Sequence, residues 1–530
     1  MMHDTNIDAA LGGWMPHPET LLTPPRASAS GLLAEAARRY PERPAIADGG
    51  TRLTFAELDD LVGRLAAGLA ARDVQPGDRV CLVAKNGLGL VALYLATNRA
   101  GAVTGMLNNR LAPRELAHLV AMMGPKLVAY EAAFRDKVGS AVREIPRLLE
   151  LGTGDDDRWG GLEQLAAAAP EPPVDGDAPS VMMHTSGTTG HPKVVVLSRR
   201  SEWLNAVMTL ATLPADPDDR NINVAPLFHA GPLECSFLPH LAVGSLNVLV
   251  SDFDPAGLIA AVEAERATTL LLVPTHVELL RQAWPGLSVD PGRLRSLRDV
   301  VVTGARISQA AVDWAREHLS EHLWNMYGLT EAGALITVCR PDELDVTDQG
   351  PAIGRSIVGM DVRVARPAGT GAPMRFLPPG TVGELVCTGP KLMSGYLDQP
   401  DKTAERIAHG WLRTGDVGVV LPDGLIRVVD RLDDLINSGG ENIYPMEVEG
   451  ALSSLPGVAE VAVVGRPHDT WGEEVVAFVV PGNDGVTAEE LLALAKGLDI
   501  APYKLPKRIE LLDTLPRTAS GKLVKRLLPD

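Results

Sequence analysis

The chain has 530 residues, of which 45% are apolar and 22% are charged, and its formal net charge is −18 at neutral pH. This length exceeds that of one ordinary domain, so we expect two to four structural units that each bury a core. The acidic balance argues against a dedicated surface for nucleic acid or anionic membranes. It still allows a local basic pocket for phosphates.

The cysteines and the N-terminus indicate the compartment. Cys81, Cys235, Cys339 and Cys387 are widely spaced and contain no C-x-x-C pair. This spacing disfavours a zinc ribbon or a disulfide framework, and we expect four small buried hydrophobes in a reducing cytosol. The first residues lack a cationic start followed by an apolar core, and no apolar stretch is long enough to cross a membrane. We therefore expect a cytoplasmic protein without a signal peptide or a membrane span.

Strands and helices are predicted to alternate through the first part of the chain. Thr54 and Glu57 have the spacing of a capping box, in which each side chain bonds to the backbone of the other residue. The predicted elements are helices at 31–39, 55–69 and 88–100 and strands at 43–47 and 80–83. Such alternation indicates parallel sheets covered by helices.

The alternation resumes beyond residue 180 and changes character after Gly350. Strands are predicted at 222–224, 246–250, 270–273 and 300–302, and helices at 256–265, 276–283 and 309–318. After Gly350 glycine and proline become frequent and helices scarce, which predicts a mainly β region with strands at 362–364 and 383–388. From Asp433 we expect a separate small α/β unit, with helices at 446–453 and 488–496 and strands at 458–464, 475–480 and 508–512.

A polar loop at 185–193 lies between two predicted strands. It contains four hydroxyl residues, two glycines and Lys193, and these supply donors and close backbone approach for an anion. It is not the common P-loop, because that motif places a lysine directly after the last glycine, where this chain has His191. A surface turn has the same composition, so the loop alone does not establish a phosphate site.

Four further stretches carry chemistry. Residues 325–331 combine Tyr327, a glycine, a hydroxyl and Glu331, and residues 411–416 end in Asp416. Residues 430–445 begin with alternating charges and continue into a glycine-rich turn, and residues 516–522 place Lys522 on a Gly/Ser turn. We predict that 325–331 follows a strand and that 411–416 is a strand-to-turn element. Each stretch taken alone is typical of a turn or a linker.

In this order, the five stretches closely resemble those of the adenylate-forming superfamily, which includes acyl-CoA synthetases. The resemblance covers residues 30–528 and includes Pro226, Leu227, Phe228 and His229. It implies an α/β fold with a large N-terminal domain (1–430) of two helix-flanked sheets plus a β-barrel-like subdomain. A hinge at 431–433 and a small mobile α+β C-terminal lid (434–530) would follow.

The resemblance also assigns roles. The β- and γ-phosphates of ATP would be held by Thr185, Ser186, Gly187, Thr188, Thr189, Gly190 and Lys193. Adenine would be flanked by Gly304, Ala305, Arg306 and Tyr327, beside Gly328 and Thr330. Asp416 would bind the ribose, Arg431 would bind the ribose or the α-phosphate, and Glu331 would bind Mg²⁺. Lys522 would neutralise charge where the acid meets the α-phosphate, and His229 would border the acid pocket. The implied catalytic set is Lys522, Arg431, Glu331, Thr185 and His229.

The implied reaction joins a carboxylic acid to AMP, releases pyrophosphate and transfers the acyl group to CoA. Rotation of the lid about Asp433 would withdraw Lys522 and bring Gly439 and Gly440 to line a passage for pantetheine. A carrier-protein thiol or an amine in place of CoA is the alternative, and a nucleotide-binding scaffold without turnover is a third. Whether the acid is a medium-chain fatty acid or an aromatic acid stays open. So does the oligomeric state, with a homodimer as one option.

Two residues depart from the family pattern. Val194 follows the loop lysine where the family usually has glycine, and Asp430 precedes the hinge arginine where glycine is often seen. Every residue assigned to phosphate or metal is nevertheless present, which argues against an inactive relative.

Overall fold

A computed structural model describes residues 27–141, 148–151, 175–185, 192–287, 289–347, 350–366, 374–438, 441–468, 470–482, 485–498, 500–517 and 523–529. Helices cover three β-sheets within these ranges. The chain is an α/β protein with a small C-terminal domain, which confirms the fold class expected from the sequence.

The helices are Ala29–Arg39 (α1), Phe55–Ala71 (α2), Leu88–Arg99 (α3), Pro113–Met123 (α4), Arg135–Ala141 (α5), Arg199–Leu210 (α6), Ala230–Pro232 (α7), Leu238–Val243 (α8), Pro255–Glu265 (α9), Pro274–Leu287 (α10), Gln309–His318 (α11), Pro400–Arg406 (α12), Pro445–Ser453 (α13) and Ala488–Ala495 (α14). A π-helical turn at Leu233–Phe237 joins α7 to α8. Short 3₁₀ turns lie at Ala132–Phe134, Pro291–Leu294, Thr330–Ala332, Leu432–Asp434, Pro502–Lys504 and Lys525–Leu527.

The strands are Pro44–Asp48 (β1), Thr51–Thr54 (β2), Arg79–Val83 (β3), Val103–Met106 (β4), Leu127–Glu131 (β5), Leu148–Leu151 (β6), Pro179–Thr185 (β7), Lys193–Ser198 (β8), Arg220–Asn223 (β9), Leu246–Leu249 (β10), Thr269–Leu272 (β11), Asp299–Thr303 (β12), His322–Leu329 (β13), Ala334–Cys339 (β14), Val346–Thr347 (β15), Gly350–Ser356 (β16), Asp361–Ala365 (β17), Gly383–Thr388 (β18), Gly395–Tyr396 (β19), Ile407–Ala408 (β20), Trp411–Val420 (β21), Ile426–Arg431 (β22), Ile436–Ser438 (β23), Glu441–Ile443 (β24), Val458–His468 (β25), Gly472–Pro481 (β26) and Arg508–Leu511 (β27).

The largest sheet combines a parallel half with an antiparallel half. Its path is β17-β18-β21-β22-β16-β14-β13-β12-β11-β9-β10-β1-β2. Strands β1, β10, β9, β11, β12 and β13 run parallel, and antiparallel pairing begins at β13–β14. The mainly β region predicted after Gly350 is therefore continuous with the parallel sheet.

The second sheet positions the predicted phosphate loop. Its order is β19-β8-β7-β4-β3-β5-β6, and β7 pairs antiparallel with β8. Thr185 and Lys193 are cross-strand partners at the end of this pair. Both strands predicted around the loop are present, but Lys193 is the first residue of β8.

The third sheet belongs to the C-terminal part of the chain. Strands β24, β23, β26 and β25 are neighbours in this order, and β27 pairs with β26. Ile443, Val448, Val463, Val479 and Leu491 belong to its buried core. The small unit predicted after Asp433 thus has its own hydrophobic core.

Local signals predicted helix starts well. Glu57 N donates to Thr54 Oγ1 at 3.2 Å, and Thr54 N donates to Glu57 Oε2 at 2.8 Å, which confirms the capping box at the start of α2. Helix α11 has the predicted bounds, and most other boundaries differ by a few residues. None of the helices in the described ranges combines the length and the apolar character that a membrane crossing requires.

Two stretches predicted to contain turns are strand over most of their length, and the turn of the first begins only at Thr330. Residues 325–329 belong to β13, and residues 411–416 open β21, which continues to Val420. Gly328 suggested a turn, but it lies at a bulge in the β13–β14 pairing, where a Cβ would fall 1.8 Å from Ala334 O. Glycine at this position allows the two strands to approach each other closely, and it does not form a turn.

The cysteines lie in the cores of the large domain. Cys81, Cys235, Cys339 and Cys387 are all buried, as predicted. Burial raises the pKa of each thiol to about 12. These thiols therefore stay protonated and unreactive at neutral pH.

Asp430 links the large domain to the small one. Its buried carboxylate accepts hydrogen bonds from Arg431 N at 2.7 Å and from Met446 N at 2.8 Å, and Met446 lies in the first turn of α13. A carboxylate at a helix N-terminus satisfies free N–H groups. The departure noted at this position thus serves as a side-chain cap that glycine could not provide. Burial raises the pKa of Asp430 to about 6, although Lys525 opposes the shift.

We predict that Asp430→Asn flattens part of the pH dependence of stability. Since the pKa of Asp430 is raised to about 6 from 3.8, the folded state binds this proton more tightly than the unfolded state. The resulting stabilisation is present at acid pH and is lost as the pH rises through 6. The unfolding free energy of the wild type relative to the variant should therefore fall by about 2 kcal/mol between pH 4 and pH 7.

Urea unfolding at several pH values measures this difference, and Asp513→Asn, at an exposed aspartate, is the matched control. Parallel stability curves for the wild type and Asp430→Asn would contradict the assignment.

Candidate active site

Lys193, Tyr396 and Glu331 come together beside the end of β7 and β8. Tyr396 lies in β19, which pairs with β8, and its hydroxyl donates to Glu331 Oε1 at 2.9 Å. Lys193 Nζ lies 4.9 Å from the centroid of the Tyr396 ring. Tyr396 therefore contacts both the predicted phosphate-binding residue, Lys193, through its ring and the predicted metal ligand, Glu331, through its hydroxyl.

The charges around Lys193 favour an anion. Burial lowers the pKa of Lys193, and the nearby cations Arg406 and Lys402 lower it further, whereas Glu331 raises it. Cations that disfavour one another are stabilised when a polyanion binds among them. This cluster is thus suited to a phosphate group.

A buried lysine holds the turn that carries Glu331. The ammonium group of Lys391 is fully buried and donates to Ala332 O at 2.9 Å, to Gly333 O at 2.8 Å and to Leu335 O. Burial lowers the pKa of Lys391 to about 8. The three N–H groups of the Lys391 ammonium thus bond to three backbone carbonyls, and these bonds stabilise the turn after β13.

Tyr327, Asp416 and Arg431 form a second polar cluster. The Tyr327 hydroxyl donates to Asp416 Oδ2 at 2.6 Å, and Arg431 Nη1 donates to Asp416 Oδ1 at 2.7 Å. Asp416 and Arg431 are cross-strand partners in β21 and β22. The Asp416 carboxylate is the largest cause that raises the pKa of Arg431. Asp416 therefore holds both of the other residues that the resemblance assigns to the nucleotide.

Arg406 joins the two clusters. Its Nη2 donates to Thr414 O at 2.8 Å, two residues before Asp416 in β21. It also lies close enough to Lys193 to lower the pKa of that lysine. A Cβ on Gly415 would approach Arg406 Nη1 to 3.1 Å, so glycine at this position leaves room for the guanidinium.

The segment after β12 is open to solvent. Gly304, Ala305 and Arg306 are exposed, and Gly304 has a φ of +90°, which favours glycine. Thr303 Oγ1 donates to Met326 O at 2.9 Å, so this segment starts beside the strand that carries Tyr327. The predicted adenine-flanking residues thus lie at adjacent strand ends.

His229 is a buried, neutral imidazole. Burial lowers its pKa to about 3, and His184 and Arg110 add to the effect. Its Nε2 atom has no hydrogen-bond partner among the described residues. Residue 229 directly precedes α7, and a Cβ on Gly231 would lie 3.5 Å from Thr303 Cγ2. Residue 229 therefore leads into a helix whose Gly231 faces the strand end of β12.

A polar crevice lies on the other side of Phe228. It is lined by Lys85, Asn86, Asn109, Arg110, Pro226, Phe228, Ser251 and Asp252. Most of these residues follow the carboxyl ends of parallel strands from the two large sheets. Ligands of open α/β sheets bind at such edges.

Some predicted site residues lie outside the described ranges. They are Ser186, Gly187, Thr188, Thr189, Gly190, Gly439, Gly440 and Lys522. Their roles stay predictions, as does the hinge role of Asp433.

Val194 is explained by its place in β8. Its side chain is fully buried in a core that includes Val83, Leu107 and Tyr130, and its carbonyl accepts from Leu397 N at 2.8 Å. A β-branched residue suits this position, because the backbone there is an ordinary strand.

Tyr396, Lys391 and Arg406 were not found by sequence reasoning. They lie in or beside α12 and β19, about 60 to 75 residues after Glu331, and no short motif marks them. The pairing of β19 with β8 brings this segment to the site.

The chain matches two protein-family models and many known proteins. Residues 33–397 match the AMP-binding enzyme model, and residues 447–522 match the AMP-binding enzyme C-terminal domain. A feruloyl-CoA synthase from an Amycolatopsis species is 39% identical over 492 residues, covering 92% of this chain and 96% of the relative. An indoleacetate–CoA ligase from Aromatoleum aromaticum is 36% identical, covering 92% of this chain and 93% of the relative.

Among solved structures, ATP-bound MatB from Rhodopseudomonas palustris superposes with a TM-score of 0.85 at 29% identity, covering 94% of this chain and 98% of that one. The family models and these relatives span most of the chain, and they match the order of motifs read from the sequence. The chain belongs to the AMP-binding enzyme family, in its acyl- and aryl-CoA ligase branch.

Proposed function

We propose that this chain is an ATP-dependent acid–CoA ligase whose acid carries an aromatic ring. The ligase class, in which a carboxylic acid is first adenylated and then transferred to CoA with release of AMP, is that of its relatives. The observation that carries the assignment of the site is the Tyr327–Asp416–Arg431 cluster beside Lys193 and Glu331. Together these groups offer contacts for every part of ATP.

Asp416 and Arg431 have capacity left for the nucleotide. An ionised carboxylate has about four acceptor positions, and Tyr327 and Arg431 occupy two of those on Asp416. The others can accept from the ribose hydroxyls. Arg431 uses Nη1 on Asp416, and the rest of its planar fork is suited to the α-phosphate.

Glu331 fits the role of a magnesium ligand. Tyr396 occupies Oε1, and Oε2 accepts no hydrogen bond from the described residues. Mg²⁺ binds one or two carboxylates and completes its shell with phosphate oxygens and water. When bound, the ion would neutralise charge on the pyrophosphate, and Lys391 would keep Glu331 in place.

The site favours attack at the α-phosphorus of ATP. A carboxylate oxygen attacks this atom and the bond to pyrophosphate breaks, which requires positioning and cations more than covalent help. Lys193 and the loop before it would hold the departing pyrophosphate. Lys522 would neutralise charge between the acid and the α-phosphate. In the second step the CoA thiolate attacks the acyl carbonyl, and AMP leaves.

The crevice beside Phe228 is suited to part of CoA. Arg110 gives it positive charge, whereas Lys85 is paired with Asp252 at 2.6 Å in the same crevice, and the lining residue Phe228 directly precedes His229. CoA carries phosphates at one end and its thiol at the other. Phosphate contacts in this crevice would direct the thiol past His229 toward the acid.

The acid pocket has room for a planar group. Gly231 leaves open the space between α7 and Thr303 that a side chain would fill. On the same helix and sheet face, a mainly apolar pocket follows, with Cys235, Leu271, Val301 and Trp324 in its wall. Two of the relatives named above act on ring-bearing acids, by their names. We therefore favour an aromatic acid over a medium-chain fatty acid.

We predict that the purified protein converts ATP, CoA and an aryl acid to AMP, pyrophosphate and the acyl-CoA. A panel of cinnamic, arylacetic and C6–C12 fatty acids, analysed by chromatography with and without CoA, measures products and preference. Formation of ADP would contradict the reaction class. Acid-dependent pyrophosphate release without an acyl-CoA product would favour a different acceptor, and preference for the fatty acids would reject the aromatic assignment.

We predict that Lys522→Ala and Asp433→Pro affect opposite half-reactions. Lys522→Ala should slow adenylation by about 100- to 1000-fold, the cost of a lost charge-stabilising donor, and should spare thioester formation from supplied acyl-AMP. Asp433→Pro should do the reverse, because it restricts backbone rotation at the proposed hinge.

Pyrophosphate exchange and acyl-CoA formation from acyl-AMP measure the two steps separately. Lys507→Ala, at an exposed lysine of the same domain, and Asp433→Ala, which keeps rotation free, are the controls. Equal loss of both steps in each variant would contradict alternation of the C-terminal domain.

A further inference from the structure

Arg406, the last residue of α12, has no place in the reaction above, although its side chain lies beside the predicted phosphate site. Helix α12 packs on β19 through a hydrogen bond in which Tyr396 N donates to Thr403 Oγ1 at 2.9 Å. Arg406 follows Thr403 by three residues, so the two side chains share one face of the helix. This face is the one that contacts β19.

Tyr396 brings Arg406 together with two residues that we assign to the phosphate side. The Tyr396 hydroxyl donates to Glu331 Oε1 at 2.9 Å, and the centroid of its ring lies 4.9 Å from Lys193 Nζ. Burial raises the pKa of Tyr396, and Arg406 opposes this shift through its charge and through a side-chain hydrogen bond to the tyrosine. Two cations and one carboxylate therefore surround a single aromatic ring.

The two cations of this group repel each other. Burial lowers the pKa of Lys193 most, and the charge of Arg406 lowers it next. Lys402 acts in the same direction, whereas Glu331 and Glu405 raise the pKa. Glu405 is exposed to solvent, and Glu331 is the predicted Mg²⁺ ligand. A polyanion bound between Lys193 and Arg406 would relieve the repulsion.

Much of the Arg406 guanidinium is unused. A guanidinium carries several N–H donors, and Nη2 donates to Thr414 O at 2.8 Å. The Nε atom is buried and has no hydrogen-bond partner within the described ranges, where no ion pair includes Arg406 either. The backbone dipole favours a cation at the C-terminal end of a helix, but it does not account for a buried donor that is left unpaired. A phosphate group would supply the missing acceptor.

The hydrogen bond to Thr414 places Arg406 between the two ends of the nucleotide site. Thr414 Oγ1 accepts from the backbone N–H of Asp416 at 3.0 Å, and Asp416 is the predicted ribose ligand. A Cβ on Gly415 would come within 3.1 Å of Arg406 Nη1, so the guanidinium lies against this strand. On its other side Arg406 is close to Lys193. The phosphates that join these two ends would pass beside the guanidinium.

We propose that Arg406 is a further catalytic residue of the adenylation step, whose unused N–H groups bind the β- and γ-phosphates of ATP together with Lys193. This inference rests on the proposed function and deepens it. As the acid oxygen bonds to the α-phosphorus, the bond from that atom to the bridging oxygen breaks, and this oxygen keeps the electron pair as part of pyrophosphate. Arg406 would stabilise the resulting charge without giving up a proton, because a guanidinium stays protonated.

The test measures pyrophosphate and acyl-AMP separately, with an acid that the wild type activates. Arg406→Met should raise the KM for pyrophosphate in acid-dependent ATP–pyrophosphate exchange by about 10- to 100-fold, the range for hydrogen bonds to a charged group. The affinity for acyl-AMP, which lacks these phosphates, and the rate of acyl-CoA formation from it should be unchanged. Arg406→Lys keeps the charge but not the planar fork, so it should raise the KM by a smaller factor and serves if the methionine variant does not fold.

Arg366→Met, at an exposed arginine just after β17, is the matched control and should change neither measurement. Thermal melting checks that each variant is folded. An unchanged KM for pyrophosphate in the Arg406 variants would overturn the inference and leave the ligase assignment intact. So would an equal loss of affinity for pyrophosphate and acyl-AMP, which a purely structural bond to Thr414 would produce. If the wild type shows no acid-dependent exchange with any acid of the panel, the proposed function fails and the inference with it.

Discussion

The carboxylate of Asp416 is the constraint on which the nucleotide side of the site depends. It holds Tyr327 from the parallel half of the large sheet and Arg431 at the end of β22. Arg431 directly follows Asp430, whose carboxylate caps the first helix of the C-terminal domain. Loss of the Asp416 charge would leave a partly buried guanidinium unpaired, a type of change that costs about 3–5 kcal/mol. The adjacent residues Asp430 and Arg431 thus connect the proposed nucleotide site to the first helix of the C-terminal domain.

A second constraint acts on the metal and phosphate side. Lys391 donates hydrogen bonds to backbone carbonyls of the turn after β13, and Tyr396 donates a hydrogen bond to the Glu331 carboxylate. Functional groups supported in this way keep their geometry without help from the ligand. By contrast, Gly439 and Gly440, which we predict to serve the second half-reaction, belong to the C-terminal part of the sequence, and the described residues of that part have their own core. A hydrogen-bonded first site and a second unit with its own core suit the proposed two-step reaction.

Sequence reasoning found most of the fold because its signals were local. The alternation of apolar segments, the capping box at Thr54 and the strands around Lys193 required no knowledge of distant contacts. It erred at residues 325–329 and at the end of 411–416, where turns were predicted and cross-strand pairing produced strands. It missed Tyr396 and Lys391, because each acts through a partner far away in sequence. Val194 and Asp430 looked anomalous only until their strand and helix partners were visible.

The central claim is that the acid attacks the α-phosphorus of ATP at this site. The most direct measurement uses an aryl acid labelled with ¹⁸O in its carboxylate, followed by mass spectrometry of the products after acyl-CoA formation. Attack at the α-phosphorus transfers one acid oxygen to the nucleotide, so the account predicts AMP with a single ¹⁸O and unlabelled pyrophosphate. Label in inorganic phosphate together with ADP, or unlabelled AMP, would contradict it.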